Sequence, residues 1–365
     1  MNRLWWRQIK AIVRLESKKT FFARRGLWIY LLALAPVALF TAQAVVEKHF
    51  RGDTLDAQSS ARRISDDDLS SVHPGMSGNE VMAKLGQPQW NRSSHRAVRT
   101  GPKEVKDVHV QVLRYASESG QLTVTLDDGT VTSMQSRGGI SFEKETYLFA
   151  GVFQFFFIRL AVFFGCLGIF MNLIRGEMLD RTLHYYLLAP VRRDVLMVGK
   201  YCAGLLAATV IFTSSTALQL FAASLSFDAN TINRFLYQQH GFSEIGSYLL
   251  VTGLACAGYG GVFLAAGLVF RNPIIPAGVV LIWEAANPLL PALLKKFSVI
   301  YYLKSMCPVQ VPMDPGMPKL FALLLSNSEP VSASLAVMGL LALSAIVVYS
   351  SCRRVRSLEI NYSTE

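Results

Sequence analysis

Blocks of about 20 predominantly apolar residues recur along the chain, separated by polar and charged segments. An α-helix of about that length crosses a hydrocarbon core roughly 30 Å thick. Residues 47–146, which follow the first block, are polar enough to predict an inserted soluble domain. The blocks themselves predict about six membrane-spanning helices, at residues 27–46, 147–174, 201–227, 245–270, 273–294 and 331–351.

The orientation of the chain is predicted by the position of its basic residues. Residues 1–26 carry eight basic side chains against one acid, Glu16, and their aromatic and aliphatic residues recur at nearly helical spacing. This pattern predicts an amphipathic helix on the cytoplasmic surface of the membrane, with a disordered basic tail as the alternative. A basic segment before the first span places the N-terminus in the cytoplasm. An even number of spans returns the tail, residues 352–365, to the same side, and that tail is also basic.

Composition favours a membrane protein over a nucleic-acid binder. Hydrophobic residues make up 52% of the 365 residues. Charged residues make up 17%, against roughly 25% in soluble domains. The net charge of +11 is concentrated at the ends of the apolar blocks rather than along one soluble surface. We therefore expect no nucleic-acid partner.

The inserted segment carries the pattern of a small α+β domain. Ser77 and Glu80 form the spacing of a capping box, which predicts a helix over residues 78–85, and Gly86 follows as its C-terminal cap. Apolar residues alternate with polar ones over 108–112 and again over 122–126. An Asp-Gly turn and a further alternating stretch come next, which together predict a β-hairpin that ends a small sheet.

The order Gly-Met-Ser, short helix, Leu-Gly-x-Pro and strands ending in Asp-Gly-x-Val covers residues 69–134. This order resembles the helix-plus-sheet domain of the outer-membrane assembly lipoproteins of the SmpA/OmlA (BamE-like) type. The lipoprotein cysteine is missing, which fits a domain held by spans instead. The resemblance implies a binding module that contacts a periplasmic partner, a cargo or its own dimer mate, and a folded spacer without a ligand is the alternative.

The segment between the second and third predicted spans, residues 175–200, has the most informative pattern. An acid at the membrane exit is followed by a Thr-Leu pair, a short apolar helix with a Leu-Leu pair, a Pro and an Arg. This order resembles the first cytoplasmic loop of type-two ABC exporter permeases, and Gly199-Lys200 matches the Gly-Lys common in that family. The resemblance assigns contact with an ATPase subunit to Glu177, Asp180, Arg181, Thr182, Leu183, Tyr186, Leu187, Pro190 and Arg193. An ordinary interfacial helix with charged caps is the alternative.

The resemblance implies a membrane-spanning permease subunit of an ATP-driven exporter, in contact with lipid in a bacterial inner (plasma) membrane. The sequence contains no Gly-x-x-x-x-Gly-Lys-Ser/Thr loop for nucleotide phosphates. ATP and Mg²⁺ are therefore expected on a separate ABC ATPase subunit, while this chain is expected to hold no cofactor and to be no enzyme. Permeases of the family function as pairs of six-span halves, which implies a homodimer.

Two charged residues are predicted to lie near the centre of the bilayer: Arg159 in the second span and Glu284 in the fifth. Burying either charge alone costs at least ~2.5 kcal/mol, so we expect them to face a cavity or each other. Their similar depths are compatible with a salt bridge that lines or gates a transport path. The alternative is that Arg159 snorkels outward and Glu284 satisfies a kinked helix near Asn287 and Pro288.

Residues 295–330 are predicted to form a long loop with several prolines and a weakly apolar stretch at 321–325. Such a loop dips back into the outer leaflet only where protein or a cavity covers its backbone. A surface loop with a short helix is the alternative, and the sequence does not separate the two.

Two other classes of function compete with transport. Gly75-Met76-Ser77-Gly78 spells the Gly-x-Ser-Gly of rhomboid-like serine proteases, but Ser77 lies in the soluble insertion rather than at the top of a span. The sequence therefore disfavours a protease. A membrane scaffold that recruits envelope partners through the inserted domain, without transport, is the remaining alternative.

Overall fold

The computed structural model divides the chain into two compact units. One unit comprises Met1–Ala44 with Tyr147–Glu365, and the other comprises Val45–Thr146. The residues that the structure describes are 2–22, 26–56, 72–73, 75–88, 90–99, 105–117, 120–138, 142–179, 192–227, 229–238, 240–270, 272–310 and 331–356.

Most of the described residues are helical, and we number the α-helices in chain order. They are α1 (Asn2–Phe22), α2 (Leu27–Asp56), α3 (Gly78–Leu85), α4 (Phe142–Gly151), α5 (Phe163–Leu179), α6 (Arg193–Ser224), α7 (Ala229–Gln238), α8 (Gly241–Val269), α9 (Ile274–Ala285), α10 (Ala292–Lys295), α11 (Val299–Met306) and α12 (Ala333–Arg356). A π-helical stretch, Val152–Val162, joins α4 to α5 without a break, and a 3₁₀ turn, Asn287–Leu289, precedes α10.

Five of the described helical segments are long and apolar enough to cross a membrane. They are Leu27–Val46, Glu145–Gly176, Arg193–Ser224, Gly241–Val269 and Ala333–Arg356. Each coincides with a predicted span. The largest shift is in α6, which begins at Arg193 instead of residue 201. The extra residues include Lys200, which lies just before the start of the predicted span and is buried in the structure.

The predicted fifth span, residues 273–294, is not one continuous helix, so that prediction is wrong. Its first half forms α9, which at 12 residues is about 18 Å long. The chain then passes through the 3₁₀ turn and the four-residue α10. Pro288 and Pro291 lack the N–H group that a continuing helix needs. The described part of the following loop contains α11, and residues 311–330 lie outside the described residues.

Helix α8 is the central element of the larger unit. It packs against α5, α6, α11 and α12. Small residues allow this close approach: a Cβ atom at Gly260 would lie 2.4 Å from the ring of Phe170, and one at Gly258 would lie 2.8 Å from Val299. Near the start of α8, Tyr248 meets the rings of Phe149 and Phe153 edge-on. Packing of this kind through small residues is typical of membrane helices.

The N-terminal segment is a helix, as predicted, rather than a disordered tail. Ile12 and Glu16 are buried, and α1 packs against the first turns of α6. A Cβ atom at Gly199 would lie only 2.9 Å from Ile12, so the two helices approach closely there. The exposed side of α1 includes Arg7 and Arg14. Its amphipathic pattern therefore reflects packing on the protein as well as a polar face.

The inserted unit contains α3 and a four-stranded antiparallel sheet in the order β1-β2-β3-β4. The strands are β1 (Trp90–Arg99), β2 (Val105–Ser117), β3 (Gly120–Asp127) and β4 (Thr130–Gly138). Its core includes the buried side chains of Val81, Leu85, Leu113, Tyr115, Val124 and Leu126.

The predicted capping box of α3 is confirmed: the Glu80 N–H donates to Ser77 Oγ, and the Ser77 N–H donates to Glu80 Oε2. The hairpin at Asp128-Gly129 is confirmed as well, with both residues at positive φ. Strand β1 was not predicted. Its sequence, WNRSSHRAVR, shows no apolar alternation, because it pairs only with β2 and lies at one edge of the sheet.

Candidate functional site

The predicted contact segment for an ATPase is described only at its two flanks. Glu177 lies in the last turn of α5, and its side chain is outside the described part of the structure. Arg193 begins α6, where its Nη1 donates to the carbonyl oxygens of Val355 and Arg356 at 3.3 and 3.2 Å. The others lie outside the described residues: Asp180, Arg181, Thr182, Leu183, Tyr186, Leu187 and Pro190.

A buried ion pair joins both flanks of this segment to the N-terminal helix. Lys200 Nζ lies 3.1 Å from Glu16 Oε1, and the two side chains are 3% and 2% exposed. The same ammonium group donates to the carbonyl oxygen of Leu173 at 2.7 Å. One lysine on α6 therefore connects α6 to α1 and to the last turns of α5.

The end of α12 lies at the same place as the start of α6. Arg356 binds Asp194 in a bidentate manner: Nε donates to Oδ1 at 2.8 Å, and Nη2 donates to Oδ2 at 2.7 Å. Arg193 adds the bonds to the last carbonyls of α12 described above. Cations are favourable at the carbonyl end of a helix, so Arg193 also stabilises this terminus electrostatically.

Glu284 is 5% exposed and lies at the C-terminal end of α9. Its Oε2 accepts a hydrogen bond from the hydroxyl of Tyr259 at 2.6 Å. Its Oε1 accepts from the backbone N–H of Ile300 at 3.3 Å, in the first turn of α11. Helix α11 has no cap from Ser298, the residue that precedes it, so the carboxylate of Glu284 supplies a cap from another segment. These bonds agree with the interpretation in which Glu284 satisfies a broken helix.

Arg159 belongs to the same polar cluster as Glu284. It lies in the π-helical stretch and is partly buried, and its charge interacts with Tyr259, Glu284 and, on α11, Lys304. The cluster therefore combines the basic side chains of Arg159 and Lys304 with the carboxylate of Glu284. The charges of Arg159 and Glu284 interact, while the hydrogen bonds of Glu284 go to Tyr259 and to α11, so the predicted salt bridge stays a prediction. The π-helix is a rare conformation. Where it occurs as a short bulge inside an α-helix, it is often found at a functional site.

Hydrogen bonds between side chains also cross the bundle away from this cluster. The hydroxyl groups of Thr216 on α6 and Thr252 on α8 are 3.0 Å apart, and both residues are fully buried. Gln219 donates to Ser215, whose hydroxyl donates to the carbonyl of Ala33 on α2. These bonds connect three of the five long helices and satisfy polar groups that would be costly in lipid.

Sequence reasoning did not identify Glu16, Tyr259 or Lys304 as site residues. For Glu16 the pattern contained a usable indication, because it is the one acid among eight bases and lies four residues after the buried Ile12. Tyr259 meets Glu284, and the charge of Lys304 interacts with Arg159, through tertiary packing, for which spacing along the chain gives no indication.

The described residues contain no group of three or more His, Cys, Asp or Glu side chains placed to hold a metal ion. Comparison with known protein families, curated proteins and solved structures finds no match for this chain. A function must therefore be inferred from its residues and their geometry.

Proposed function

We propose that this chain is the membrane-spanning subunit of an ATP-driven exporter of the ABC type, with ATP and Mg²⁺ bound by a separate subunit. The observation that carries the proposal is the residue order of 175–193, from Glu177 through Thr182-Leu183 to Pro190 and Arg193. A short helix of this kind offers Leu183 and its apolar neighbours to a cleft on a soluble partner, while the charges set its orientation.

Six membrane crossings are part of the proposal, and the positions of the helix ends support them. Glu16 on α1 lies at Lys200 on α6, and the end of α12 lies at Asp194, so both terminal helices meet the start of α6. Five continuous spans alone would leave the chain termini on opposite faces. An even number of crossings needs one more between α8 and α12, and we place it at α9, the apolar helix described there. The basic residues of α1 and α12 support a cytoplasmic location for this shared face, and a bacterial inner membrane is part of the proposal.

The linkage around Lys200 supports a coupling role for the 175–200 segment. Lys200 is the last residue of the segment and Leu173 precedes it, and the Lys200 ammonium group donates a hydrogen bond to the Leu173 carbonyl oxygen. Glu16 adds α1 to the same connection. A push on the segment would therefore displace α1, α5 and α6 together, because a buried ion pair and its hydrogen bonds resist separation.

The transport path of the proposed exporter lies along the cluster of Arg159 and Glu284. Intramembrane charges mark substrate pathways in many membrane proteins, and here they lie where one helix is π-helical and another is broken. Neutralising one partner, as Arg159→Gln or Glu284→Gln, is expected to abolish transport-coupled ATPase activity. The double variant is expected to recover it in part, and additive losses would remove the pair from the path.

The proposed assembly is a homodimer with an external binding module. Helix α9 exposes Ile274, Ile275, Val279 and Ile282, so its outer side requires lipid or a second copy of the chain. The inserted unit has its own core and sheet, which suits a BamE-like module that contacts a periplasmic partner.

Affinity purification of the tagged chain in mild detergent, followed by mass spectrometry and an ATPase assay, tests the proposal. We expect a nucleotide-binding subunit to co-purify with the wild-type chain and to be lost with Leu183→Asp. Thr132→Asp is the matched control, because it adds the same charge to an exposed position of β4. A wild-type chain that brings down no nucleotide-binding subunit would favour the scaffold function instead.

A further inference from the structure

A basic cavity lies where the start of α6 meets the end of α12. Its volume is about 370 Å³, and the described residues that line it are Arg192, Arg193, Asp194 and Arg356. Small-molecule sites in proteins usually measure roughly 300–1,000 Å³, so the cavity is large enough for a compact head group. Three guanidinium groups and one carboxylate give its lining a net charge of +2.

The internal bonds of the cavity hold its charges in fixed positions. Asp194 is engaged by Arg356 through both oxygens. Arg193 is engaged by the carbonyls at the end of α12. The guanidinium of Arg192 lies 5.4 Å from the centre of the Trp5 ring, as in a cation–π contact, and the residue is exposed. The one anionic side chain of the lining is therefore paired with Arg356, and Arg192 is the exposed cation of the lining that precedes α6.

The start of α6 adds to this positive potential. Arg192 precedes the helix and provides no side-chain cap, so the first turn of a 32-residue helix lacks one at this point. The N-terminus of a helix carries partial positive charge and attracts anions. Guanidinium groups match phosphate oxygens through paired hydrogen bonds.

We infer that this cavity binds the phosphate group of an anionic molecule, and that its source is the head group of an anionic phospholipid. The position of the cavity favours a lipid over a soluble phosphate. It lies at the ends of two apolar spans, next to α1, where Trp5 and the 72% exposed Trp6 provide the amphipathic rings typical of membrane interfaces. Basic pockets at this level between membrane helices suit anionic head groups. A bound head group would link α1, α6 and α12 on the face shared by both termini.

Lipid binding to the purified full chain tests this inference. Native mass spectrometry in neutral detergent would count bound dioctanoyl-phosphatidylglycerol, with dioctanoyl-phosphatidylcholine as the zwitterionic comparison and sodium phosphate as the soluble one. We expect dioctanoyl-phosphatidylglycerol to bind and dioctanoyl-phosphatidylcholine not to bind. Arg192→Gln is expected to weaken binding about fivefold, since one basic residue near a lipid surface contributes on the order of that factor.

Arg353→Gln is the matched control. It removes one positive charge from the last turn of α12, near the cavity, and Arg353 does not line the cavity. Melting temperatures without lipid establish that both variants fold. Equal weakening by Arg192→Gln and Arg353→Gln would overturn the inference in favour of diffuse charge attraction. Sodium phosphate that binds as tightly as the lipid, with the same sensitivity to Arg192→Gln, would support an anion site but overturn its lipid source. Loss of a co-purifying ATPase with Arg192→Gln and unchanged lipid binding would overturn it altogether.

Discussion

The buried ion pair of Glu16 and Lys200 is expected to behave differently from an ordinary surface salt bridge. Both side chains are almost completely excluded from solvent, and their charged atoms are 3.1 Å apart. Removing one partner leaves the other as an unpaired buried charge, which typically costs about 3–5 kcal/mol. Replacing both with apolar residues of similar size is often neutral or even stabilising.

We therefore expect Glu16→Leu and Lys200→Met each to lower the free energy of unfolding by about 3–5 kcal/mol. The double variant is expected to recover most of this loss. Replacing Lys200 also removes its hydrogen bond to the Leu173 carbonyl oxygen. Because Leu173 lies within α5, this lost bond is expected to add little to the loss of unfolding free energy. The assay is equilibrium unfolding of the detergent-solubilised chain by increasing SDS, followed by tryptophan fluorescence.

The pair of Asp194 and Arg356 is the matched comparison, because it joins the same end of α6 to another helix but is exposed to water. Exposed pairs contribute little to stability, so a double-variant cycle there is expected to show weak coupling. Additive losses at Glu16 and Lys200, or losses as small as those at the exposed pair, would contradict a structural connection of α1 through this ion pair.

Three further changes test the packing and hydrogen bonds described above. Tyr259→Phe removes a bond to a carboxylate and should cost about 1.5–3 kcal/mol, whereas Tyr201→Phe removes a bond to the carbonyl of Ala257 and should cost about 0.5–1.5 kcal/mol. Equal losses of unfolding free energy in SDS would contradict a stronger hydrogen bond from Tyr259 to the Glu284 carboxylate. Gly260→Ala should lose about 1–3 kcal/mol because its Cβ would lie 2.4 Å from Phe170, while Gly253→Ala in the same helix meets nothing nearer than 4.0 Å and should not destabilise. Ser77→Ala should cost about 0.5–2 kcal/mol of local stability and speed amide hydrogen exchange in α3, with Ser94→Ala on the exposed strand β1 as the control.

The elements that the sequence predicted well are those fixed by local physics. Apolar length predicted five of the long helices, and the Ser77–Glu80 spacing predicted the cap of α3. Alternation over 122–126 predicted β3 because Leu122, Val124 and Leu126 lie in the core of the inserted unit. The alternation over 108–112 predicted β2 as a strand, although its core residues are Leu113 and Tyr115 on the other face. Strand β1 was missed because it is held by pairing with β2 rather than by an apolar face.

The errors arise where tertiary contacts lower the free-energy cost of a charged residue in a span or of an interruption in a helix. The predicted third span began only after Lys200, and an isolated lysine is unfavourable in lipid, yet the helix includes Lys200 because Glu16 neutralises it from a distant part of the chain. The sequence allowed a kink near Pro288 in the predicted fifth span, whereas the structure ends α9 at Ala285 and continues with a 3₁₀ turn and a separate short helix. The break is tolerated because Glu284 caps the next helix. For Lys200 the deciding acid is far away in sequence, whereas the break in the fifth span follows local prolines and only the contact of Glu284 with Ile300 depends on tertiary packing.

The same two acids divide the larger unit into a part expected to move as one body and a part expected to deform. Around Glu16 and Lys200, the N-terminal helix, the last turns of α5 and the first turns of α6 are joined by buried polar contacts. Around Glu284, by contrast, regular helix is interrupted between α9 and α11. The charge of Glu284 interacts there with Arg159 of the π-helical stretch. Regions of this second kind have the irregular hydrogen bonding that allows rearrangement at low cost.

If an ATPase drives the chain, ATP should therefore leave the distance between α1 and α6 unchanged and alter the distance between α6 and α9. Spin labels at the exposed Leu15, Leu206 and Ile282, in a background without native cysteines, would measure both distances by pulsed electron resonance. We expect the Leu15–Leu206 distance to stay constant and the Leu206–Ile282 distance to change when ATP is added to the complex. A change of similar size in both would contradict a rigid connection through Lys200. It would imply that α1 moves independently of the 175–200 segment, because two helices joined by an intact buried ion pair cannot separate without breaking it.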